Sequence, residues 1–541
     1  LGAGMPYSRY GASEEHITNV SDNEIPEIKT PIKEWINLAP EKVLHQFDMK
    51  DAAFNEYKVL PRLLFGEYLS AQFDLLISEA KKIKLKTIIH VNTKVTDISD
   101  VAKKQQVKIV TADEEIFLMD MAVICTGHSW PCKNEKKINN WFDSPYPPQK
   151  LAKQINYRVA IRGASLTAID AVRTLAHVNG QFSKKKDGSY QYKLNAESKG
   201  FKIILHSIDG LLPALRFHLE DSHLIPAHIL REEEIFAIKK KNNGFVPLDY
   251  VYDLNFKNVL KEAQPELYNE VKDMSIENFI TYMLTERKKI NAFTLLAAEY
   301  REAEKSIRRQ ESVTWKETLA ELSYAMNYPA KHFSAEDMLR LRRIMMPLIS
   351  VIIAFVPQSS ARELMALHEA GLLDIIAVDA NSSVVPGDDG GCIYTYKKED
   401  GQEVSTQYSM FIDAMGQRPF LYNQIPFEGL KNKETISAAY LRFASDEKAM
   451  QEIEAGNEQV SKETSGDYIL QLPGININDF FQPLDIYGVA NPRLFIMAVP
   501  FIAGINPDYS GLDFCEAASK KIIEKMSESI QEKMAIQLAG T

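Results

Sequence analysis

VAIRGASLTAIDAVRTLA, residues 159–176, is the stretch that decides the fold of this chain. A short apolar run ends at Gly163, and from Leu166 onward apolar side chains recur at helical spacing. The stretch therefore predicts a strand, a tight turn and a helix, which open a βαβ unit. The turn fits G-x-G-x-x-G/A with Ser165 in place of the second glycine, a pattern that presents backbone N–H groups to a dinucleotide pyrophosphate. The alternative is a strand-to-helix turn that only packs well.

The next strand of this unit, predicted over 201–206, ends at the position that selects the nicotinamide cofactor. An acid there favours NAD, and a basic residue favours NADP. The chain reads His206, Ser207, Ile208 and Asp209. His206 and Ser207 suit a phosphate and Asp209 suits a free hydroxyl, so the choice between NADPH and NADH stays open.

Length, composition and charge limit the classes of protein to which this chain can belong. A chain of 541 residues with 45% hydrophobic content should divide into more than one domain. Its 63 basic and 73 acidic residues give a net charge of -10, which does not suit nucleic acid or an anionic membrane. The longest apolar run, 344–356, is interrupted by Pro347 and is too short to span a bilayer. Four scattered cysteines and the lack of a secretory signal predict a reducing, cytoplasmic location.

Hydrophobic periodicity predicts an α/β fold with a helical insertion between two α/β parts. We predict a first part of one domain over 1–150, a nucleotide-binding domain over 151–415 with its helical insert at about 227–345, and the last part of the first domain over 416–541. The chain opens inside a glycine-rich loop, so we expect a preceding strand, turn and helix to be missing from this sequence.

The predicted elements follow that plan, with 140–156 as a linker and 180–200 as a polar loop. Helices are predicted over 63–81, 292–309, 315–326, 361–370 and 511–526. Strands are predicted over 87–91, 94–98, 106–111, 115–118, 121–125, 375–378, 410–414 and 494–499.

The loop 501–510 precedes the last predicted helix, whose first N–H groups would point at an anion or an electron-rich ring edge. Asn506, Asp508 and Tyr509 would line such a site, with Ser510 beside them. The alternative is that Asp508 or Ser510 only caps the helix.

Five motifs in this order resemble those of the FAD-NAD(P)-binding flavoproteins, relatives of the class B flavin monooxygenases and of the lysine and ornithine N-hydroxylases. They are GAGMPYS with HITNV, LPR with FGEYL, CTGH, GASLTAID and SIDGLLP, at 2–8 with 16–20, 60–62 with 65–69, 125–128, 163–170 and 207–213. The chain departs from the family in lacking the first G-x-G-x-x-G. It also has Ile208 where the family has arginine and Ala498 where the family has glycine.

The resemblance implies two Rossmann-like dinucleotide-binding domains, one inserted in the other, with FAD and NADPH or NADH as cofactors. It implies a small-molecule substrate hydroxylated with molecular oxygen through a flavin hydroperoxide. An amine nitrogen is one target that the resemblance suggests. It also implies positions that contact the cofactors. These are Gly4, Tyr7, Ser8, Asn19 and Arg62 near FAD, Thr126 and Gly127 at its border, and Gly163, Ser165, Leu166 and Thr167 at the nicotinamide dinucleotide.

His128 is a candidate for the reacting centre, with a structural histidine at a turn as the alternative. No side chain is identified as a general base. A metal site built from Cys125, His128 and Cys132 is disfavoured, because Cys125 lies in a predicted core strand and no second ligand pair follows.

Two other classes of function remain open from the sequence. One is a flavin-binding redox sensor or partner-binding protein without oxygenase turnover, favoured by Ser165 and Ile208 in the nucleotide motifs. The other is a flavin-free enzyme that uses only a nicotinamide cofactor. Bound flavin, which is visible in an absorbance spectrum, would separate them.

Overall fold

A computed structural model describes residues 1–47, 59–127, 130, 132–220, 225–398, 400–505 and 511–539 of the chain. The first part contains two small sheets, one further strand and the long helix α3. Its elements are β1 Ile17–Ser21, α1 Ile32–Leu38, α2 Glu41–Gln46, β2 Val59–Pro61, α3 Arg62–Lys82, β3 Val95–Val101, β4 Gln106–Thr111, β5 Ile116–Met119 and β6 Ala122–Ile124.

The second part begins with the predicted strand-turn-helix, which is confirmed. Its elements are β7 Trp141–Phe142, β8 Arg158–Arg162, α4 Leu166–Asn179, β9 Gly180–Lys184, β10 Tyr190–Leu194 and β11 Lys202–Ser207.

The predicted helical segment follows. It contains α5 Glu232–Lys241, α6 Leu248–Tyr252, α7 Asn258–Ala263, α8 Pro265–Val271, α9 Ile276–Lys288, α10 Ala292–Arg309, α11 Thr314–Asn327, α12 Ala335–Arg340 and α13 Met346–Ile352.

The last part returns to α/β structure. Its elements are α14 Gln358–Glu369, β12 Leu373–Ala377, β13 Ser383–Pro386, β14 Cys392–Lys397, β15 Glu403–Tyr408, β16 Met410–Asp413, α15 Glu428–Lys431, β17 Ala438–Arg442, α16 Asp446–Glu454, β18 Val460–Lys462, β19 Tyr468–Ile475, β20 Leu494–Ile496, α17 Val499–Ile502 and α18 Gly511–Ala539.

The central element is a five-stranded parallel sheet in the order β12-β11-β8-β16-β7. Its middle strand β8 is covered on both faces, since Val159, Ala160 and Ile161 are fully buried, as expected for an apolar parallel strand. Helix α4 returns from β8 over one face and contributes Val172 and Leu175 to the core there. This is the predicted Rossmann-like arrangement.

Strands from the two ends of the chain meet in a second sheet. β6 pairs in parallel with β20, with Val123 beside Phe495. β3, β4 and β5 form a separate antiparallel sheet. β6 and β20 thus join the two ends of the chain in one unit, while β12 and β16 of the last part complete the central sheet, and this arrangement confirms the predicted fold class. The domain boundaries at 150 and 415 stay a prediction.

Four local predictions are wrong. Residues 87–91 form no strand, because no described strand pairs with them and Ile88 is left exposed. The strand at 121–125 shrinks to β6, and Val123 on it is partly exposed. The linker 140–156 adds β7 to the main sheet and buries Leu151, and the polar loop 180–200 is the hairpin β9–β10.

The helical segment packs its own core against the unit formed by the chain ends. Phe256, Phe279 and Leu322 are buried in that core together with Phe495 of β20. No helix in the described part of the chain combines the length and the apolar character that crossing a membrane requires.

Candidate functional site

The turn after β8 has the shape of a pyrophosphate cradle. Gly163 has a φ of +111°, and a Cβ there would lie 2.9 Å from the carbonyl oxygen of Ala414 on the neighbouring strand end. Only glycine meets both conditions without strain. Ser165 is the N-cap residue of α4, but its hydroxyl accepts no capping hydrogen bond, and its side chain is exposed.

The first N–H groups of α4, at Leu166 and Thr167, lie beyond the reach of intrahelical carbonyls, as in any helix. Together with the helix dipole they favour an anion at this end. Gly163, Ser165, Leu166 and Thr167 therefore lie together and fit a dinucleotide pyrophosphate.

His206 does not lie at the surface of this site. Its ring is buried and stacks on Tyr394 with 4.0 Å between ring centroids, and Tyr408 Oη lies 3.3 Å from Nε2. Burial lowers the pKa of His206 to about 4, so at neutral pH the ring is uncharged. The prediction that His206 holds a phosphate is thus wrong, because the ring points into the tyrosines of the β13–β15 sheet.

The residues after His206 do reach the strand end. Ser207 is half-buried, and Asp209 forms an ion pair with Lys288 of α9 at 2.5 Å. A lysine from the helical segment thus lies beside the acid just beyond the end of β11. Sequence reasoning missed Lys288, because 79 residues separate it from Asp209 and only the fold brings them together.

A second charged pair crosses the ends of two neighbouring strands. Arg162 ends β8 and Asp413 ends β16, and their side chains form an ion pair next to Gly163. Open parallel sheets bind ligands outside the carboxyl ends of their strands. The sequence signal for Asp413 is limited to the strand-to-turn pattern at 410–416.

The N-terminal loop packs against α3 and the turn after β6. A Cβ on Gly66 would lie 2.1 Å from the carbonyl oxygen of Tyr7, and a Cβ on Gly127 would lie 3.9 Å from Cβ of Met5. The loop that holds Gly4, Tyr7 and Ser8 thus approaches the turn of Thr126 and Gly127 through Met5, and this turn is exposed.

Tyr7 and Ser8 line a small cavity of about 240 Å³. Tyr7 packs edge-on against Phe65 at 4.7 Å, and burial raises the pKa of its phenol. The Ser8 hydroxyl donates to the carbonyl of Met5 at 2.9 Å, so it is engaged within the loop. The volume is below the roughly 300–1,000 Å³ of small-ligand pockets, and it fits only part of a dinucleotide.

Arg62 joins the two nucleotide units. Its Nη1 donates to Asp170 Oδ2 on α4 at 2.5 Å, and the hydroxyl of Tyr146 donates to the same oxygen at 2.6 Å. Burial alone would raise the pKa of Asp170, but Arg62 beside it holds that pKa below its usual range. The sequence predicts Arg62 at the cofactor. In the structure, part of its guanidinium instead bonds to Asp170 and holds α4 in place.

The other five predicted positions have different outcomes. Asn19 lies on β1, where its carbonyl accepts a hydrogen bond from Arg216 at 2.6 Å. His128, Asn506, Asp508 and Tyr509 lie outside the described residues. Within the described ranges, no group of His, Cys, Asp and Glu side chains has the arrangement of a metal site.

Residues 1–129 are similar to a known protein family. The family described as FAD-NAD(P)-binding matches residues 1–129, which confirms the predicted resemblance and the cofactor class, FAD with a nicotinamide dinucleotide. Residues 1–129 are thus similar to an FAD-NAD(P)-binding domain.

A particular relative spans nearly the whole chain. The uncharacterized protein YdhS of Escherichia coli K12 is 27% identical over 535 residues, covering 98% of this chain and 92% of the relative. A second family, the YdhS-like middle domain, matches residues 231–353, the stretch that holds α5 to α13.

Solved structures of low identity overlap with the chain. Ornithine hydroxylase PvdA from Pseudomonas aeruginosa has a TM-score of 0.44 at 11% identity, covering 97% of this chain and 89% of that one. The cadaverine monooxygenase DfoA from Erwinia amylovora has a TM-score of 0.40 at 9% identity, with 96% and 86% covered. Neither overlap identifies a substrate.

Proposed function

We propose that this chain is an FAD-dependent, NAD(P)H-using oxidoreductase, and more finely a monooxygenase that hydroxylates a small molecule with molecular oxygen. The observation that carries the proposal is the ion pair between Arg62 and Asp170. It fixes the helix of the second nucleotide cradle to the FAD-NAD(P)-binding domain, and flavin enzymes need two cofactors held in a defined relation.

Different residues of the chain would contact each of the two cofactors. Tyr7, Thr126 and Gly127 would border FAD, and the turn from Gly163 to Thr167 would hold the nicotinamide dinucleotide. When bound, the cofactors supply hydride transfer and oxygen chemistry. The protein would orient them and exclude water, and the buried carboxylate of Asp170 would keep Arg62 in place while they react.

A spectrum and a turnover assay test the proposal on the purified full chain. We expect visible flavin absorbance after purification or after incubation with FAD, and oxidation of NADPH or NADH that candidate amines accelerate. Flavin binding without nicotinamide oxidation would favour the sensor class. Nicotinamide oxidation without bound flavin would favour the flavin-free enzyme. Either result rejects the monooxygenase.

Gly163 shapes the turn that we propose binds the nicotinamide dinucleotide. Gly163→Ala places a methyl group 2.9 Å from a backbone oxygen in a left-handed conformation, so the turn must move away from the pyrophosphate. We expect kcat/KM for the nicotinamide cofactor to fall by about tenfold or more while flavin absorbance is kept.

The matched control for that change is Gly188→Ala. Gly188 also has a positive φ of +87°, but a methyl group added there would meet no other atom within 4 Å. It carries the same conformational cost without the clash. Equal losses in both variants would contradict a role for the Gly163 turn in cofactor binding.

The specificity prediction concerns Lys288. Because Lys288 neutralises Asp209 at the strand end, we expect the chain to prefer NADPH, and Lys288→Glu to lower kcat/KM for NADPH by about tenfold or more with a much smaller effect on NADH. The control is Lys289→Glu, since Lys289 is exposed and pairs only with Glu286 in the described chain. An unchanged cofactor ratio in Lys288→Glu would refute the assignment.

A further inference from the structure

A cavity of about 690 Å³ lies where β1, the end of α10 and the start of α14 meet. These elements come from three parts of the chain: the FAD-NAD(P)-binding domain, the helical segment and the second nucleotide unit. Small-ligand sites favour such junctions, and the volume is within their usual range. Phe47 lines this cavity and also the smaller one beside Tyr7, so the two spaces share a wall.

Much of the wall is apolar. The side chains that provide it are Ile17, Phe47, Val59, Phe217, Leu219 and Ile307. Such a surface accepts the hydrocarbon part of a ligand and excludes water from any charge placed among it.

The first charged group on the wall, Arg216, is already neutralised. It forms a buried ion pair with Glu24. Its guanidinium also donates to the hydroxyl of Ser21 at 2.9 Å and to the carbonyl of Asn19 at 2.6 Å. Arg216 therefore shapes the wall and adds no net charge to the cavity.

The second charged group, Arg362 on α14, is not neutralised by a carboxylate of the described residues. Its guanidinium lies over the ring of Tyr190 at 5.1 Å and hydrogen-bonds to Tyr300, whose own hydroxyl donates to Glu304 at 2.6 Å. Its Nε is buried with no hydrogen-bond partner in the described part of the chain. Buried donors are nearly always paired, so an unpaired one needs an acceptor from elsewhere.

The remaining polar groups on the cavity wall also favour a negatively charged ligand. Gln358 and Ser359, in the first turn of α14, line the cavity next to Arg362, and the start of a helix favours negative charge. His218 also lines the cavity, and its backbone N–H donates to the hydroxyl of Ser306 at 3.0 Å. Among the lining residues that the structure describes, the uncompensated charge is therefore the single guanidinium of Arg362.

We propose that this cavity binds a small organic monoanion, a carboxylate with an apolar body, through Arg362. A single guanidinium matches one carboxylate in charge and in the geometry of its paired donors. The apolar wall matches the rest of the molecule. This inference goes beyond the proposed function, because binding here needs neither flavin nor nicotinamide.

The test compares two probes of one shape on the purified full chain by isothermal titration calorimetry. The probes are 3-phenylpropionate and its uncharged counterpart 3-phenylpropanamide. We expect the carboxylate to bind at least about tenfold more tightly than the amide, as charge-assisted hydrogen bonds allow. We expect Arg362→Gln to remove that preference, and Arg362→Lys to restore part of it by restoring the charge.

The control variant is Arg309→Gln, which changes an exposed arginine that pairs with Glu311 at the end of the neighbouring helix α10. It should bind both probes as the unaltered chain does. Equal affinity for the two probes, an unaffected preference in Arg362→Gln, or no saturable binding of either probe would overturn the proposal. Since the readout is binding alone, these outcomes are distinct from a failure of flavin binding or turnover.

Discussion

Replacing Asp170 by asparagine should lower the free energy of unfolding by about 3–5 kcal/mol, because it leaves the guanidinium of Arg62, whose side chain is only 15% exposed, without its counter-charge. Asp170 is 4% exposed and is held by Arg62 and Tyr146. The amide fits the same space but cannot carry the charge. Chemical denaturation at neutral pH, followed by circular dichroism, measures the loss.

The dependence on pH distinguishes this mechanism from a packing defect. Arg62 holds the pKa of Asp170 below its usual range against the effect of burial. A carboxyl group whose pKa is lowered by folding stabilises the fold at pH values above its unfolded-state pKa of about 3.9. This stabilisation is lost as the pH falls through the folded-state pKa. The loss of stability in Asp170→Asn should therefore be full at neutral pH and should shrink in acid below about pH 4.

The matched control is Asp374→Asn. Asp374 pairs with Lys202 at 2.6 Å on two neighbouring strands, but both side chains are about one third exposed or more. Surface pairs contribute about 0–1 kcal/mol, so this variant should stay close to the unaltered chain. Equal losses in the two variants would contradict the view that the buried pair joins the nucleotide units.

The strand, turn and helix over 159–176 could be predicted because local patterns specify them. β8 has the apolar run Val159–Ile161 at its centre, and α4 carries apolar residues at helical spacing. The same holds for α10, which begins after the cap residue Asn291 and covers the predicted range. Such elements need no knowledge of their neighbours.

The contacts that assemble the site could not be predicted in this way. Asp170 is one polar residue on a mostly apolar helix, and its partner Arg62 lies 108 residues earlier in the chain. His206 occupies a strand end in the sequence, but its environment comes from the tyrosines of β14 and β15, about two hundred residues later. The sequence pattern indicated the candidate site residues, and the three-dimensional contacts determine which of them can face a ligand.

The hairpin β9–β10 shows that a polar stretch can carry a strand signal. The polarity of 180–200 favours a loop, yet Asp187-Gly188 lies between two segments that can alternate faces, a pattern typical of a hairpin. In the structure β9 and β10 pair around that turn. The hydroxyl of Tyr192 donates to the carbonyl of Ala176 at 2.7 Å and anchors the hairpin on α4.

The second large effect is expected inside the helical segment, at Glu299. This carboxylate lies between two cations, accepting from Arg287 Nη1 at 2.8 Å and from Lys316 Nζ at 3.0 Å. All three side chains are buried. Burial would raise the pKa of Glu299, but Lys316 and then Arg287 hold it below its usual range. The fold therefore depends on a negative charge at this point.

Glu299→Gln should cost about 3–5 kcal/mol of unfolding free energy, because it leaves the buried Arg287 without a counter-charge and leaves Lys316 with only the half-exposed Glu302. The control is Glu302→Gln. Glu302 contacts the same Lys316 at 2.7 Å, but its side chain is about half exposed, so its loss should cost no more than about 1 kcal/mol. Denaturant titration of both variants gives the comparison. If the two losses were equal, the charge on Glu299 would not be what stabilises this cluster. A larger loss at Glu299 would show that the Arg287–Glu299–Lys316 cluster stabilises the helical segment next to Lys288, which pairs with Asp209.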